Sequence, residues 1–408
     1  MLGCYRGSRS KPATTKPRLV RKMTKHGATA PLRVAVDCSL LSGSNGGLGR
    51  YLRALLPRMM ASAEAGVEWL LYARSATVCT SLPLGRQLRL DRLPAHLGRI
   101  LAPAFSLPFW TRRDQPQVFW APAHRLPVWL PVHTAGVVTI HDLAWARVPA
   151  TLRYTTRFLD RTLMGRSVQR AQRLIAVSNA TAADIAAHWP GNEIRTRVIH
   201  GSAEILPPPG PLAAYAPALR PHRYLLFVGT LEPRKNLPRL LQGYATACRV
   251  AADFPALVIA GGHGWGGEHL RRMIARQRLT DRVQLMGVVS DAALSTLYAH
   301  ALCLVMPSLH EGFGLPIVEA MRYGLPVLTS STSSMPEVAG KAGLLVDPQS
   351  TASIAAGLQR IVQDAPLRGK LASAARTQAA LYSWDRAAEE TLEVLREAAT
   401  TRGTPPRN

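Results

Sequence analysis

Short apolar runs alternate along this chain with stretches of helical periodicity, and this alternation restricts the fold more than any other feature. The first run, residues 32–37, leads into a polar loop and then into a helical pattern with Leu52, Leu55 and Leu56 on one face. Strand-like and helix-like segments in regular succession are typical of a parallel sheet covered by helices on both faces. The sequence therefore predicts an α/β fold. Further strands are expected at 67–72, 117–120, 137–140 and 173–177.

A proline-rich stretch interrupts this alternation at residues 204–211, which read EILPPPGP, as an interdomain linker does. The chain has 408 residues and is 47% hydrophobic, so it can fill two cores. Two similar halves are therefore expected, with a crevice between them at the carboxyl ends of their strands. In the second half, strands are expected at 224–229, 256–262, 283–287, 303–307 and 326–329. The predicted segments are a disordered basic tail at 1–31, domains at 32–205 and 223–380, and a linker at 206–222.

The chain is strongly basic, with a formal charge of +25. That excess favours polyanions, phosphorylated ligands or an anionic membrane surface, without choosing among them. The five cysteines show no pair at redox or metal-ligand spacing, so reduced thiols and a cytoplasmic location are expected. No apolar run reaches the ~18 to 20 residues of a membrane-spanning helix, and a soluble or peripheral protein is expected. The tail could also be an over-extended start, with Met23 as the true beginning.

Two glutamates eight positions apart flank a glycine-rich turn in HEGFGLPIVEAM, residues 310–321. Pro316 suits a first helical turn, which places Glu319 early in the helix that follows. The N–H groups at the start of that helix face the turn and attract an anion. A carboxylate beside an anion usually accepts hydrogen bonds from hydroxyls, and the two oxygens of Glu311 or Glu319 match a vicinal diol such as ribose. The segment therefore predicts a site for a ligand that carries both phosphate and hydroxyls.

A second loop carries two adjacent cations, Arg234 and Lys235, in GTLEPRKN at 229–236. Arginine offers a planar fork and lysine a compact charge, so the pair could clamp a diphosphate. The alternative is a solvated basic turn. Because this loop and the glutamate segment both follow strands of one predicted sheet, they are expected to meet, and this favours the diphosphate interpretation.

Two loops of the first half are further candidates. His141 follows a strand and could bind a sugar hydroxyl or an oxygen at a reaction centre, while Asp142 could set the His tautomer or cap the next helix. Gly46, Gly47 and Gly49 could bring backbone N–H groups to a phosphate, or form a mobile turn, and they do not match a dinucleotide fingerprint. The chain has no nucleophile elbow, Walker sequence or His/Cys cluster, so a hydrolase or a phosphate-cleaving motor finds no support.

Taken together, these motifs resemble the retaining glycosyltransferases of family 4, which have the two-domain architecture called GT-B. The likeness is close at 227–241 and 310–348, looser in the first half, and covers about 32–395. It implies two Rossmann-like domains that face each other across a central cleft, with a helix at 381–398 crossing back to the first domain. Among family members, those that read EPRKN look most like bacterial mannosyltransferases of polysaccharide synthesis.

The resemblance also implies roles for particular residues. Glu319 would hold the ribose of a nucleotide-diphosphate sugar, Glu311 would contact the donor sugar, and His141 would lie near the transferred sugar. Arg234 and Lys235 would neutralise the departing diphosphate. Many members carry arginine where this chain has threonine after the first glycine of GTLEPRKN. The other residues expected to bind the donor are Gly229, Thr230, Val288, Gly312, Phe313, Gly314 and Leu315.

The resemblance extends to substrates and partners. The preferred donor is GDP-mannose, with UDP-sugars open, and the acceptor is a saccharide or a lipid-linked saccharide held by the first domain. No metal or other cofactor is expected, because the two cations do what a metal would. Lysines and arginines would favour an anionic surface at the inner face of the plasma membrane. Rival interpretations are an epimerase or phosphorylase of the same architecture and a nucleic-acid-binding protein, for which no binding motif is found.

Overall fold

The computed structural model describes residues 3, 30–42, 46–62, 66–73, 86–90, 105–251, 253–262 and 267–401. Within these residues, two parallel sheets organise the two halves of the chain. Most of the predicted tail, 1–31, lies outside the described residues. The strands of the first sheet are β1 (Leu32–Asp37), β2 (Val67–Ala73), β3 (Arg86–Leu90), β4 (Val118–Ala121), β5 (Ala135–Ile140), β6 (Arg173–Ala176) and β7 (Thr196–Val198). The strands of the second are β8 (Tyr224–Val228), β9 (Ala256–Ala260), β10 (Val283–Gly287), β11 (Cys303–Met306), β12 (Val327–Ser330) and β13 (Gly343–Val346).

Both sheets are parallel throughout their described strands, with the order β3-β2-β1-β4-β5-β6-β7 in the first and β10-β9-β8-β11-β12-β13 in the second. The predicted pair of Rossmann-like α/β halves is confirmed. Three strands, β3, β7 and β13, are missing from the sequence prediction, and all three lie at sheet edges. An edge strand is only partly covered and tolerates polar residues, and arginines interrupt the apolar pattern of β3 (RQLRL) and β7 (TRV). The strand β13 (GLLV) is apolar throughout.

Helices alternate with strands in both halves, although β4 and β5 are joined by a loop without a helix. Those of the first half are α1 (Gly47–Ser62), α2 (Ser106–Asp114), α3 (Ala144–Arg147), α4 (Tyr154–Arg170) and α5 (Asn179–His188). Those that follow are α6 (Leu237–Cys248), α7 (Gly267–Arg276), α8 (Asp291–His300), α9 (Leu315–Arg322), α10 (Met335–Ala339), α11 (Thr351–Gln363), α12 (Ala365–Ala379) and α13 (Trp384–Thr400). In the described parts of the chain, no helix combines the length and the apolar character that crossing a bilayer requires.

The first sheet buries a different set of side chains on each face, because successive residues of a strand point to opposite sides. Val36 and Trp120 pack on the face covered by α1 and α13. Ala35 and Phe119 pack on the opposite face, in a second core that includes Met164 of α4. The last helix, α13, therefore lies on the first half of the molecule although it follows the second half in sequence.

The parallel strands bring the functional loops together. The loops after β1, β5 and β6 lie at the carboxyl edge of the first sheet, and the loops after β8, β9 and β11 lie at the carboxyl edge of the second. Between β7 and β8 the chain forms a short 3₁₀ turn, Leu212–Ala214, directly after the proline-rich stretch and within the predicted linker. The domain boundaries assigned to 205 and 222 stay predictions.

Candidate active site

A cavity of about 970 Å³ lies between the loops at the carboxyl edges of the two sheets. Every candidate residue from the sequence analysis borders it, from both halves of the chain. Residues that are more than 260 positions apart in the sequence thus share one space. The candidates that line the cavity are Gly46, Gly47, Gly49, His141, Gly229, Thr230, Arg234, Lys235, Val288, Glu311, Gly312, Phe313, Gly314, Leu315 and Glu319.

Glu311 lies buried between the two predicted cations. Its Oε1 accepts a hydrogen bond from Lys235 Nζ at 2.6 Å, and its Oε2 accepts one from Arg234 Nη1 at 2.8 Å. Burial alone would raise the pKa of Glu311, but the ammonium of Lys235 and the guanidinium of Arg234 lower that pKa to about 2. Arg234 Nε also donates to Glu232 Oε2 at 2.9 Å. The carboxylate therefore stays ionised at neutral pH and fixes the direction of both cations.

The backbone around the two cations is held by Asn236, which adopts a left-handed conformation with φ 61°. Its side-chain amide donates to the carbonyl of Pro307 at 2.9 Å and to that of Pro348 at 2.7 Å. The Leu309 N–H donates to the Arg234 carbonyl at 2.8 Å. These bonds fasten the loop after β8 to the loop after β11, so the cation pair and Glu311 form one rigid unit within the second half.

Glu319 is held differently. It lies in the second turn of α9, is buried, and its Oε2 accepts a hydrogen bond from the Tyr298 hydroxyl at 2.7 Å. Its Oε1 accepts a bond of 3.0 Å from Arg50 Nη1, and Arg50 Nη2 also donates to Asp291 Oδ1 at 3.3 Å. Burial lowers the pKa of Arg50, but the two carboxylates raise it above its ordinary value overall. Because Arg50 belongs to α1, this ion pair joins the first half to the second.

Arg50, Tyr298 and Asp291 are site residues that sequence reasoning missed. Arg50 did carry a signal, because it follows the glycines of the loop after β1 at the start of a helix, where a cation could reach into a cleft. Tyr298 and Asp291 lie in α8, an unremarkable helix by sequence. Their positions depend on how α8 packs beside α9, which no local pattern indicates.

Gly312 lies where the two halves touch. A Cβ atom built on this residue would lie 1.7 Å from the carbonyl oxygen of His141, so only glycine permits the contact. The Gly312 carbonyl accepts hydrogen bonds from the Ser178 hydroxyl at 2.6 Å and from the Thr181 hydroxyl at 3.3 Å. The turn that carries Glu311 is therefore docked onto the loop after β5 and onto the start of α5.

His141 borders the cavity from the first half as a neutral imidazole. Its Nε2 lies 2.7 Å from the Pro122 carbonyl oxygen, which can only accept, so Nε2 carries the proton. Burial, followed by the nearby His124, lowers the pKa of His141 to about 3. Asp142 precedes Leu143, the N-cap residue of α3, and its Oδ1 accepts from the N–H of Ala144, the first residue of the helix, at 3.1 Å. Of the two roles open to Asp142 in the sequence, the structure therefore shows the helix cap, and the Pro122 carbonyl fixes the His141 tautomer.

The remaining candidates shape the walls of the cavity. A Cβ atom on Gly261 would lie 1.9 Å from the Gly229 carbonyl oxygen, so the turns after β8 and β9 pack backbone against backbone. Val288 is 76% exposed and lies at the cavity mouth. Phe313 packs its ring against Tyr382, with ring centroids 5.4 Å apart. Among the residues that the structure describes, no three His, Cys, Asp or Glu side chains are grouped as a metal site.

This geometry combines three chemical elements around one space: a pair of cations oriented by Glu311, a second buried carboxylate, and the start of α9. Cations and a helix N-terminus stabilise an anion such as a diphosphate. A buried carboxylate beside them suits hydroxyl donors.

Comparison with known proteins identifies the family to which the chain belongs. Residues 45–203 match the model described as Glycosyltransferase Family 4, and residues 218–378 match the model described as Glycosyl transferases group 1. O-antigen chain mannosyltransferase B of Escherichia coli is 29% identical to the chain, over 86% of this chain and 96% of its own. D-inositol 3-phosphate glycosyltransferase of Streptomyces avermitilis is 28% identical, over 96% and 91%. The solved structure of Anabaena HepE in complex with UDP and glucose gives a TM-score of 0.69 at 18% identity, over 90% of this chain and 100% of that one.

The chain belongs to the family 4 and group 1 glycosyltransferases and has their GT-B architecture, so the family and fold predicted from the sequence are confirmed. Enzymes of this family transfer a sugar from a nucleotide-sugar donor to a saccharide acceptor, and these are the substrate classes of this enzyme.

Proposed function

We propose that the enzyme transfers a mannosyl group, with retention of anomeric configuration, from GDP-mannose to a saccharide or lipid-linked saccharide of a bacterial surface polysaccharide. The proposed site is supported by one observation: a single cavity is lined by Arg234, Lys235, Glu311 and Glu319. The choice of sugar is supported by the likeness to an O-antigen mannosyltransferase along nearly the whole chain. The EPRKN sequence at 232–236 supports the same choice.

Glu319 is proposed to bind the ribose of the donor. Its carboxylate is buried at the cavity wall and now accepts hydrogen bonds from Tyr298 and Arg50. A ribose diol can take the place of the Arg50 guanidinium on Oε1, while Tyr298 keeps its bond to Oε2. A ribose held in this way lies at the first turns of α9, so the helix N-terminus faces the phosphates.

Arg234 and Lys235 are proposed to stabilise the leaving diphosphate. In the transfer step, the bond between the anomeric carbon and the phosphate oxygen breaks, and its electron pair goes to the diphosphate. The acceptor hydroxyl attacks the same face of the sugar and passes its proton to the departing phosphate oxygen. Cations aimed at the growing negative charge stabilise the transition state more than the ground state.

Glu311 is proposed to orient these cations and to accept hydrogen bonds from the donor sugar. A carboxyl group with a pKa of about 2 does not donate protons at neutral pH. Its two oxygens are also engaged by Lys235 and Arg234, which weakens it as a nucleophile and supports same-face attack over a covalent intermediate. The neutral His141 adds a polar group to the wall of the cavity without competing for the anion. The proposal includes no metal cofactor, because Arg234 and Lys235 supply the positive charge.

The acceptor is proposed to enter from the first half of the molecule, at the inner face of a membrane. The formal charge of +25 supports an anionic lipid surface as the place of action, since each basic residue near such lipid contributes about 1 kcal/mol.

Thermal shift with nucleoside diphosphates and their sugars tests the donor assignment, because a ligand that binds the folded state raises Tm with the logarithm of its concentration over Kd. GDP-mannose is expected to raise Tm of the wild-type protein more than UDP-glucose does. Glu319→Ala should abolish that rise, whereas Glu389→Ala, on the exposed side of α13, should retain it. An equal rise in both variants would refute the ribose site. Turnover of the donor without any acceptor would instead indicate an epimerase.

A further inference from the structure

The first half of the molecule exposes large aromatic side chains that do not line the cavity. Phe105, Phe109, Trp129, Tyr154 and Phe158 are each at least 60% exposed. Elsewhere in the described residues, the exposed large hydrophobic side chains are aliphatic, apart from the largely covered Tyr215. A folded monomer rarely leaves such a group uncovered, and large exposed apolar patches mark sites of protein or membrane contact.

Helix α4 shows most clearly how little of this surface is covered by the residues that the structure describes. Residues 153–159 are all exposed, and the buried side chains of the helix begin only at Met164. The first half of α4 therefore contributes no side chain to the buried core. Its aromatic residues Tyr154 and Phe158 lie one turn apart on one side of the helix, with Leu159 beside them.

The exposed aromatic residues lie on one face of the first sheet. Leu107 of α2, Leu126 of the loop after β4, and Met164 of α4 all belong to the same buried core on that face. The loop after β4 is tied to α4 by the ion pair of Arg125 with Asp160 and by the Leu126 N–H, which donates to Ser167 Oγ at 2.9 Å. This loop carries Trp129 alongside the helix.

One end of this surface lies at the cavity edge, while Trp129 and Val132 lie toward the other end of α4, where Arg170 donates to the Pro131 carbonyl. Helices that connect parallel strands run back across the sheet, so they begin at the carboxyl edge of the strands. The first turns of α2 and α4, where Phe105 and Tyr154 lie, are therefore on the same edge as His141 and the cavity.

Arginines surround the aromatic residues. Residues 151–170 contain five arginines and one aspartate, and Arg157 and Arg161 are exposed one turn apart beside Phe158. Arg112 and Arg113 are exposed at the end of α2. Aromatic rings that can enter the headgroup region, together with arginines that can bind lipid phosphates, are the combination by which interfacial helices bind anionic bilayers.

We propose that this surface, the basic aromatic face formed by Phe105, Phe109, Trp129, Tyr154, Arg157, Phe158 and Arg161, docks onto an anionic lipid bilayer. The reason for docking rests on the proposed function. Docking would bring the cavity edge to the membrane, where a lipid-linked acceptor resides. A second copy of the chain fits the face poorly, because two strongly positive surfaces repel. The aliphatic members of the same surface, Val132 and Leu159, suit hydrocarbon better than they suit stacked bases.

Flotation with vesicles tests docking without any sugar chemistry, so its result is independent of the donor and acceptor assignments. The wild-type protein is expected to bind vesicles of phosphatidylglycerol and phosphatidylcholine, and to bind pure phosphatidylcholine much more weakly. The double change Arg157→Gln/Arg161→Gln should weaken binding to the anionic vesicles about 25-fold, or roughly fivefold for each arginine. Phe109→Ser/Phe158→Ser should weaken it about tenfold or more, by removing apolar area from the bilayer.

Matched control variants lie away from the face. Arg271→Gln/Arg272→Gln removes the same charge from exposed positions of α7, and Val250→Ser removes a 57% exposed side chain after α6. Both control sites belong to the second half of the chain. Both controls should bind vesicles within about twofold of wild type. All variants change exposed residues, so their thermal unfolding and their Tm rise with GDP should match wild type.

Equal vesicle binding by the face variants and the controls would overturn the proposal. It would also be overturned if the face variants lost binding to single-stranded RNA and kept binding to lipid, which would assign the face to nucleic acid. A change from dimer to monomer in the face variants, with unchanged lipid binding, would assign it to a second copy instead.

Discussion

The two glutamates of the cavity, Glu311 and Glu319, lie eight residues apart in one segment, are both buried, and are held in opposite ways. The partners of Glu311, Arg234 and Lys235, come from the same half of the molecule. The cation that binds Glu319, Arg50, comes from the other half. The first cluster is therefore complete whatever the position of the first half, whereas the bond of Arg50 forms only while the two halves are together.

The Glu311 cluster is therefore called the prepared site, because its cations are already in place. Glu319 is called the adjustable site, because its cation comes from the other half. On the proposed assignment, the donor diphosphate would meet cations that Glu311 has already oriented, so little reorganisation would be needed when charge develops. The proposed ribose, by contrast, would compete with Arg50 for Glu319. Donor binding and contact between the two halves are consequently linked at one carboxylate.

The largest effect is expected from breaking the Glu311 cluster. Glu311→Gln leaves Lys235 and Arg234 buried without their counter-charge, and loss of one partner of a buried ion pair costs about 3–5 kcal/mol. Urea unfolding should show a decrease in unfolding free energy of that order. Glu389→Gln on the exposed side of α13 serves as the control, with an expected change within about 0.5 kcal/mol. A Glu311→Gln protein as stable as wild type would show that the cluster does not contribute to the free energy of unfolding.

Lys235→Met tests whether the cations of the Glu311 cluster stabilise the transition state. Removing one group that stabilises transition-state charge lowers kcat by about 10²- to 10³-fold. The rate of mannosyl transfer from GDP-mannose should decrease by that factor, with a smaller change in KM. Lys370→Met, at an exposed position of α12, provides the matched control and should keep full activity. An unchanged kcat in Lys235→Met would remove the lysine from the mechanism.

Acid should weaken the prepared site in a defined pH range. The folded-state pKa of Glu311, about 2, lies below the ordinary value of 4.5, so its contribution to stability is fully present above about pH 4.5. That contribution is lost as the pH falls from 4.5 toward 2. The difference in unfolding free energy between wild type and Glu311→Gln should therefore narrow over this range in urea titrations at each pH. A constant difference down to pH 2 would contradict the assigned pKa.

The smallest effect is expected at the adjustable site. Arg50→Ala frees Glu319 for the ribose and should tighten GDP binding about two- to fivefold, since partly exposed ion pairs are worth up to about 1 kcal/mol. Calorimetric titration with GDP measures the change. Arg58→Ala breaks the exposed pair of Arg58 with Asp385, also on α1, and should leave GDP affinity unaltered. Weaker GDP binding in Arg50→Ala would mean that the arginine contacts the nucleotide itself.

The same contrast shows what the sequence could predict. Arg234, Lys235, Glu311 and Glu319 could be placed at one site because parallel strands bring their following loops to one edge. The partnership of Arg50 with Glu319 could not be predicted, because it depends on how the two halves face each other. The edge strands β3 and β7 were missed because arginines interrupt their apolar pattern, RQLRL and TRV. The edge strand β13, GLLV, is apolar and was missed although its pattern resembles that of a central strand.

The loop after β5 shows the limit of local reasoning in another way. The sequence left two roles open for Asp142, and the packing of His141 beside Pro122 decides between them. The exposed aromatic residues of α2 and α4 likewise carry no sequence signal, since a phenylalanine in an amphipathic helix is normally expected to be buried.

The most direct measurement of the central claim is a crystal structure of the enzyme with GDP. The account predicts both ribose hydroxyls within hydrogen-bonding distance of the Glu319 carboxylate and the diphosphate oxygens beside Arg234 and Lys235. A nucleotide bound with its ribose turned away from Glu319, or with its phosphates remote from the two cations, would contradict it.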